Sequence, residues 1–403
     1  MKTFLKLSLA VSTLVSLAVI FALVPLAPTY PLKNRAGVWL YEQGHHRAAE
    51  ALFRSLANLG YGPATNNLGV LANLGLGTKQ RFSEARSHYQ AAADAGVAAA
   101  KYNLARLYER GLGARRDLHA ARALLSDAAK AGDAMAQITL ASLAERLRQP
   151  DWRLYKESLL RQAAEGGNAE AQFALGLYFY LDEEATTAEQ ARRSEEVVAL
   201  WQAAAAQGHA PAQASLAMLY QESDPAQALR WLRAAAEQGE ISAQLGLAQR
   251  LSRGRGLEPD PAAAIGWYRK AAAAPETGDA PPRGWPDLYA YHHPRVRPDS
   301  WQAVQIARTE LADLLLEGRG AEADPAAAAA HYRAAAEAGW GEAAVRLAEL
   351  FRAGRGVPRD LRQTERWLRA AVEAGHVQAV PTLQALLADR VQSPVAAPVA
   401  PDG

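Results

Sequence analysis

The side chains best suited to chemistry are concentrated in residues 275–302, which read PETGDAPPRGWPDLYAYHHPRVRPDSWQ. The stretch combines aromatic rings with arginine and histidine donors, the residue types that dominate protein interfaces. Six prolines stiffen it, so it is unlike a flexible Gly/Ser tether. The candidate partner-binding residues are Arg283, Trp285, Tyr289, Tyr291, His292, His293, Arg295 and Arg297.

Three interpretations of this stretch are open: packing onto its own protein, contact with a protein or glycan partner, or a metal site. Trp285, Tyr289, Tyr291 and Trp301 supply apolar area for the first two. Neighbouring histidines in an extended segment point to opposite sides, so one zinc ion would need further ligands. We therefore predict no metal site and no cofactor.

Motifs of known enzyme classes are absent from the sequence. It contains no S-x-x-K, H-E-x-x-H, G-x-S-x-G or G-x-x-x-x-G-K-[ST] pattern. Cysteine is also absent, which excludes disulfides, thiolate catalysis and an N-terminal lipidated cysteine. We therefore predict no catalytic residue and a protein that is not an enzyme.

The charge balance gives no sign of a nucleic-acid partner. The 44 basic and 42 acidic residues leave a formal net charge of +2. No basic stripe interleaved with aromatic residues is present, as binding to a phosphate backbone would require. We expect no nucleic acid among the partners.

The elements that carry these residues form a repeat. Gly60, Gly96 and Gly132 lie 36 residues apart, and Gly339 and Gly375 keep the same interval. A sequence pattern that recurs at fixed spacing indicates a repeated structural unit rather than a single catalytic motif.

Each unit contains the signals of two helices. A leucine followed by a small residue, as in Leu104-Ala105 and Leu347-Ala348, marks the first helix. An aspartate placed fifteen residues before the closing glycine predicts the N-cap of the second helix, and that glycine predicts its left-handed end. A bulky pair lies seven and eight residues before the closing position, as in His331-Tyr332. The aspartates in question are Asp117, Asp224, Asp260, Asp324 and Asp360.

These units predict an all-α fold: a right-handed superhelical α/α solenoid of about nine helix pairs. We assign the solenoid to residues 37–390, with a capping helix over 377–390 and a disordered tail at 391–403. The segments AKYNLARLYERGLGARRDLHAARALLSDAAKAG and AAVRLAELFRAGRGVPRDLRQTERWLRAAVEAG resemble Sel1-like repeats, relatives of the tetratricopeptide repeat. The resemblance implies a binding scaffold that holds other proteins together, often in the bacterial envelope.

Three departures from the repeat stand out. The charged stretch 181–196 lengthens one unit between its helices, and the next unit is shortened to YQESDP. The largest departure is the insertion of 28 residues that begins where Pro275 replaces the closing glycine.

The N-terminal residues differ in character from the repeats. Lys2 and Lys6 precede an apolar run from Leu7 to Ala27, long enough to cross a bilayer as a helix. We predict a signal anchor or transmembrane helix over 1–30, with a cleaved signal peptide as the alternative, and a linker over 31–36. The expected location is the bacterial inner membrane, single-pass, with the repeats in the periplasm; a cleaved protein would be periplasmic or secreted.

The sequence thus favours a non-enzymatic scaffold that binds protein partners in the cell envelope. The alternative is an exopolysaccharide assembly or secretion factor that organises an export complex or binds glycan, since sugar rings stack on exposed aromatic faces.

Overall fold

The computed structural model describes residues 29–75, 80–148, 151–182, 186–255, 258–274 and 300–392. These residues form nineteen helices and no strand. In sequence order the helices group as nine pairs followed by one final helix. They are α1 (Tyr30–Glu42), α2 (His46–Asn58), α3 (Gly62–Leu74), α4 (Phe82–Asp94), α5 (Ala98–Arg110), α6 (Leu118–Lys130), α7 (Ala134–Arg146), α8 (Trp152–Glu165), α9 (Ala169–Tyr180), α10 (Thr187–Ala206), α11 (Ala210–Leu219), α12 (Pro225–Glu237), α13 (Ile241–Arg253), α14 (Pro261–Ala272), α15 (Ser300–Glu317), α16 (Pro325–Glu337), α17 (Gly341–Ala353), α18 (Leu361–Glu373) and α19 (Ala379–Gln392).

The expected helical repeat solenoid is confirmed. The chain divides into two compact units, one within Met1–Ala171 and the other within Gln172–Gly403, with the boundary inside α9. Within each unit, helices that follow one another in the chain pack side by side. Alanines and leucines fill the interior of both units, and larger rings such as Tyr268 and Tyr332 are buried in the second.

The predicted aspartate caps begin the second helix of five repeats. The side chain of Asp324 accepts a hydrogen bond from the backbone N–H of Ala327 at 2.9 Å, and Asp360 accepts from Arg362 and Gln363 at 2.8 and 3.1 Å. Asp117, Asp224 and Asp260 cap their helices in the same way. Because each cap satisfies N–H groups that have no partner inside the helix, the aspartates set where these helices begin.

Close contact between glycine and backbone holds successive repeats in register. Gly356, at a φ of +73°, lies against the carbonyl group of Pro325, the first residue of α16. Gly320 lies against Pro261, the first residue of α14, in the same manner. Gly356 and Pro325 are 31 positions apart in the sequence, whereas Gly320 and Pro261 are 59 positions apart. The difference of 28 residues equals the length of the insertion. The insertion therefore leaves the stacking of its neighbours unchanged.

Two sequence expectations differ from the structure. Residues 31–36, expected as a linker, belong to α1, because Pro31 is compatible with the first turn of a helix. The charged stretch 181–196, expected between helices, is helical from Thr187 onward. Thr186 and Glu189 form a reciprocal capping box that starts α10 there.

Several predicted segments lie outside the described residues. They are residues 1–28 of the membrane anchor predicted over 1–30, residues 393–403 of the tail predicted over 391–403, and residues 275–299 of the insertion. Residues 391–392, expected in the tail, are instead the last two residues of α19. Among the helices of the described residues, none is both long and apolar enough to span a membrane.

Candidate protein-binding groove

A groove of about 520 Å³ opens in the second unit between α11 and α13, the first helices of two successive repeats. We call it the α11–α13 groove. It is lined by residues of these two helices, by Gln221 and Glu222 after α11, by Pro225 and Leu232 of α12, and by Arg255 after α13. Its volume falls within the roughly 300–1,000 Å³ typical of ligand sites. A groove on the surface of a helical repeat is a natural place for a partner to bind.

The shortened repeat explains why the groove exists. Helix α11 has ten residues, whereas α13 has thirteen, so α11 ends about 4.5 Å earlier along its axis. The last turn of α13, which contains Arg250 and Arg253, therefore extends beyond the end of α11. The sequence YQESDP supplies the short connection from α11 to α12 that removes this turn.

The floor of the groove is kept open by a glycine in the middle of α13. A methyl group on Gly246 would lie 3.5 Å from the side chain of Leu232, which is an ordinary contact. Glycine inside a helix is less favourable than alanine by about 0.5–1 kcal/mol. A longer side chain at this position would extend into the groove.

One end of the groove is lined by small and apolar residues. Pro211 and Ala214 of α11 line it near the starts of the two helices, and Met218 follows one turn later. All three are half-buried. Methionine adapts its shape to a bound surface because its side chain is unbranched and flexible.

The other end of the groove is cationic. Arg250 donates a hydrogen bond to the neutral side-chain oxygen of Gln221 at 3.1 Å, and burial lowers the pKa of its guanidinium. Within the described residues, neither Arg250 nor Arg255 forms an ion pair. Among the described residues that line the groove, Glu222 is the only carboxylate. The arrangement leaves two guanidinium groups able to donate hydrogen bonds to a carboxylate of a partner.

Glu310 of α15 anchors this end to the next repeat. Its carboxylate accepts hydrogen bonds from Arg253 at 2.7 Å, from Gln249 at 3.2 Å and from the Tyr268 hydroxyl at 2.6 Å. Burial, together with the bond to Glu310, raises the pKa of Tyr268, so its hydroxyl remains a donor. Arg253 is thereby held in place at the rim.

The residues predicted from sequence to bind a partner lie outside the described residues. This applies to all eight: Arg283, Trp285, Tyr289, Tyr291, His292, His293, Arg295 and Arg297. At the end of the insertion, however, Trp301 is buried and its ring meets that of Trp340 edge-on at 5.9 Å. For this aromatic residue, packing onto the protein's own repeat is confirmed.

The groove was not predicted as a site from the sequence. A signal was present, because a shortened repeat is followed 30 residues later by three arginines within RLSRGR. Among the described residues, no group of three or more His, Asp or Glu side chains could hold a metal ion.

The Sel1 repeat family model matches seven segments that together cover more than half of the chain. They are residues 62–97, 98–133, 169–189, 210–240, 241–275, 305–340 and 341–376. The chain belongs to the Sel1 repeat family. The α11–α13 groove lies mainly where two matched Sel1 repeats, 210–240 and 241–275, meet.

The chain is also similar to solved structures. A Sel1 repeat protein from Oxalobacter formigenes is 27% identical, with a TM-score of 0.53, over 83% of this chain and 89% of its own. A protective antigen of uropathogenic Escherichia coli displaying an SLR fold is 25% identical, with a TM-score of 0.44, over 93% of this chain and 89% of its own. No curated protein matches the chain.

Proposed function

We propose that this Sel1 repeat protein is a non-enzymatic scaffold of the bacterial envelope that binds a protein partner in the α11–α13 groove. Sel1 repeat proteins are generally protein–protein interaction scaffolds. The observation that supports this site is an open groove with an apolar end and a cationic end, formed by a shortened repeat.

The dimensions of the groove favour an extended segment of the partner. Along α13 the lining residues extend from Ser242 to Arg253, eleven residues of helical rise, which is about 16 Å. An extended chain covers this distance with roughly four or five residues. The partner segment that fits the groove best has an apolar side chain facing Met218 and a carboxylate facing Arg250 and Arg255.

The envelope location is part of the same proposal. The apolar run Leu7–Ala27 supports an inner-membrane anchor, with the repeats in the periplasm. Removal of that segment by cleavage would leave a periplasmic or secreted protein. The glycan alternative depends on Trp285, Tyr289 and Tyr291, and the experiment below distinguishes it.

Site-specific photo-crosslinking tests the groove. A photoreactive amino acid in place of Met218 should crosslink to a protein partner in cells, and one in place of the exposed Leu361 of α18 should not. Gly246→Leu should abolish the Met218 crosslink because its side chain fills the groove. Gly246→Ala is the matched control and should keep it, since its methyl group has room.

Two results would contradict this function. A Met218 crosslink of equal yield in the Gly246→Leu protein would show that the groove is not the binding surface. A photoreactive amino acid in place of Trp285 that crosslinks to polysaccharide, while the Met218 probe captures no protein, would favour the exopolysaccharide factor. Thermal unfolding of both variants should confirm that each retains the fold.

A further inference from the structure

The outward face of α1 is mostly apolar. Leu32 is 60% exposed, Trp39 is 44% exposed and Val38 is 36% exposed. These residues, with Pro31 and Arg35, recur at the three- and four-residue spacing that places side chains on one side of a helix. Single exposed apolar residues are common on proteins, but several of them together on one face of a helix mark an interaction surface.

The opposite face of α1 fixes this orientation. The ring of Tyr30 meets that of Tyr61 at 5.7 Å, and Asn34 accepts a hydrogen bond from Asn67 at 3.0 Å. One turn further on, Gly37 lies so close to Phe53 that a methyl group there would come within 3.0 Å of the ring. Rotation of α1 to bury its apolar face would break all of these contacts.

The position of α1 in the chain indicates what covers this face. The apolar run ends at Ala27, three residues before α1 begins, a distance of at most about 10 Å in an extended chain. If that run crosses the bilayer, as the proposed function requires, α1 begins at the level of the lipid headgroups. Tryptophan is enriched at that level, and arginine can reach lipid phosphates from it.

We propose that α1 lies in the membrane interface, with Leu32, Val38 and Trp39 inserted among the lipids and Arg35 against anionic headgroups. Glu42 lies about 15 Å beyond Leu32 along the helix and is exposed on the same side. Its carboxylate marks the end of α1 that returns to water. The inference rests on the anchor in the proposed function and adds a second membrane contact that fixes how the first unit faces the bilayer.

The absence of cysteine allows this to be tested with single labels. Leu32→Cys and Trp39→Cys in the full chain are spin-labelled and reconstituted into vesicles of phosphatidylethanolamine and phosphatidylglycerol. Both labels should be accessible to lipid-soluble oxygen, shielded from an aqueous nickel reagent, and roughly 5–10 Å below the headgroup surface. Leu154→Cys on α8, 71% exposed, is the matched control and should be fully accessible to nickel.

Each other outcome overturns the inference. A Leu32 label that is as accessible to nickel as the Leu154 label places α1 in water. Shielding from both reagents means that protein covers the face, and disulfide crosslinking between Leu32→Cys copies would identify that protein as a second copy of the chain. Carbonate extraction of the same samples tests the anchor separately. If carbonate extracts the protein from the vesicles, both the proposed anchor and this inference are wrong. If the protein stays in the membrane but the Leu32 label is exposed to water, only this inference is wrong.

Discussion

Replacement of Gly356 by alanine should destabilise the last repeats more than the same change at another glycine with a similar backbone. Gly356 and Gly375 have φ angles of +73° and +86°, which disfavour any residue with a side chain. A methyl group at Gly356 would lie well under 3.0 Å from the carbonyl group of Pro325. A methyl group at Gly375 would have no neighbour within 4 Å. The comparison separates the cost of the backbone conformation from the cost of the close contact.

The magnitudes follow from these two terms. A left-handed backbone costs a residue with a side chain about 1–2 kcal/mol, and both variants lose that amount. Steric overlap with fixed backbone adds about 1–3 kcal/mol, and only Gly356→Ala incurs it. Any gain from a less flexible unfolded chain is the same for both. We therefore expect Gly356→Ala to lower the free energy of unfolding by about 1–3 kcal/mol more than Gly375→Ala.

Urea denaturation followed by circular dichroism measures this difference. Helix pairs in a repeat protein can unfold locally, so hydrogen exchange of the amides in α16 to α18 should accompany the melt. If Gly356→Ala and Gly375→Ala lower the free energy of unfolding by amounts that agree to within about 0.5 kcal/mol, the reasoning is refuted. Differences smaller than this are near the uncertainty of mutational free energies. The contact between Gly356 and Pro325 would then contribute nothing to how the repeats stack.

Three further changes have defined outcomes. Asp360→Ala should lower the free energy of unfolding by about 1 kcal/mol because α18 loses its N-cap. Asp360→Asn should keep most of the stability of the original protein in the same denaturation assay, because asparagine is also a good N-cap. Tyr268→Phe should cost about 1 kcal/mol by removing a hydrogen bond to Glu310, and an unchanged unfolding curve would show that the bond is not formed in solution. Burial and two nearby arginines lower the pKa of His331, so the unfolded chain binds the proton more readily; stability should fall as pH drops below about 6.5, and His331→Gln should flatten that dependence in urea titrations at several pH values.

The repeat could be predicted from the sequence because local signals determine it. Asp324 and Asp360 cap their helices as expected, and Gly339 and Gly375 have the left-handed backbone that ends them. Each cap depends only on residues within one turn. The four second helices bounded by an aspartate and a closing glycine all have thirteen residues, as the constant spacing predicts.

The candidate site could not be predicted in the same way. The groove depends on which parts of α11 and α13 face each other in space, and on three residues missing from α11. The sequence shows the short loop YQESDP but not the empty volume that it leaves. The exposed face of α1 was also missed, because residues 31–36 were assigned to a linker and the inward contacts of Tyr30 and Asn34 involve residues more than 30 positions away.

The unchanged register of the flanking repeats indicates that this position in the chain tolerates inserted sequence. Because Gly320 meets Pro261 as Gly356 meets Pro325, the helices on either side of the insertion keep the register of two uninterrupted repeats. Evolution can therefore change the inserted sequence without rebuilding the framework. An engineer could graft an epitope, a fluorescent reporter or a new recognition loop there and leave the flanking repeats intact.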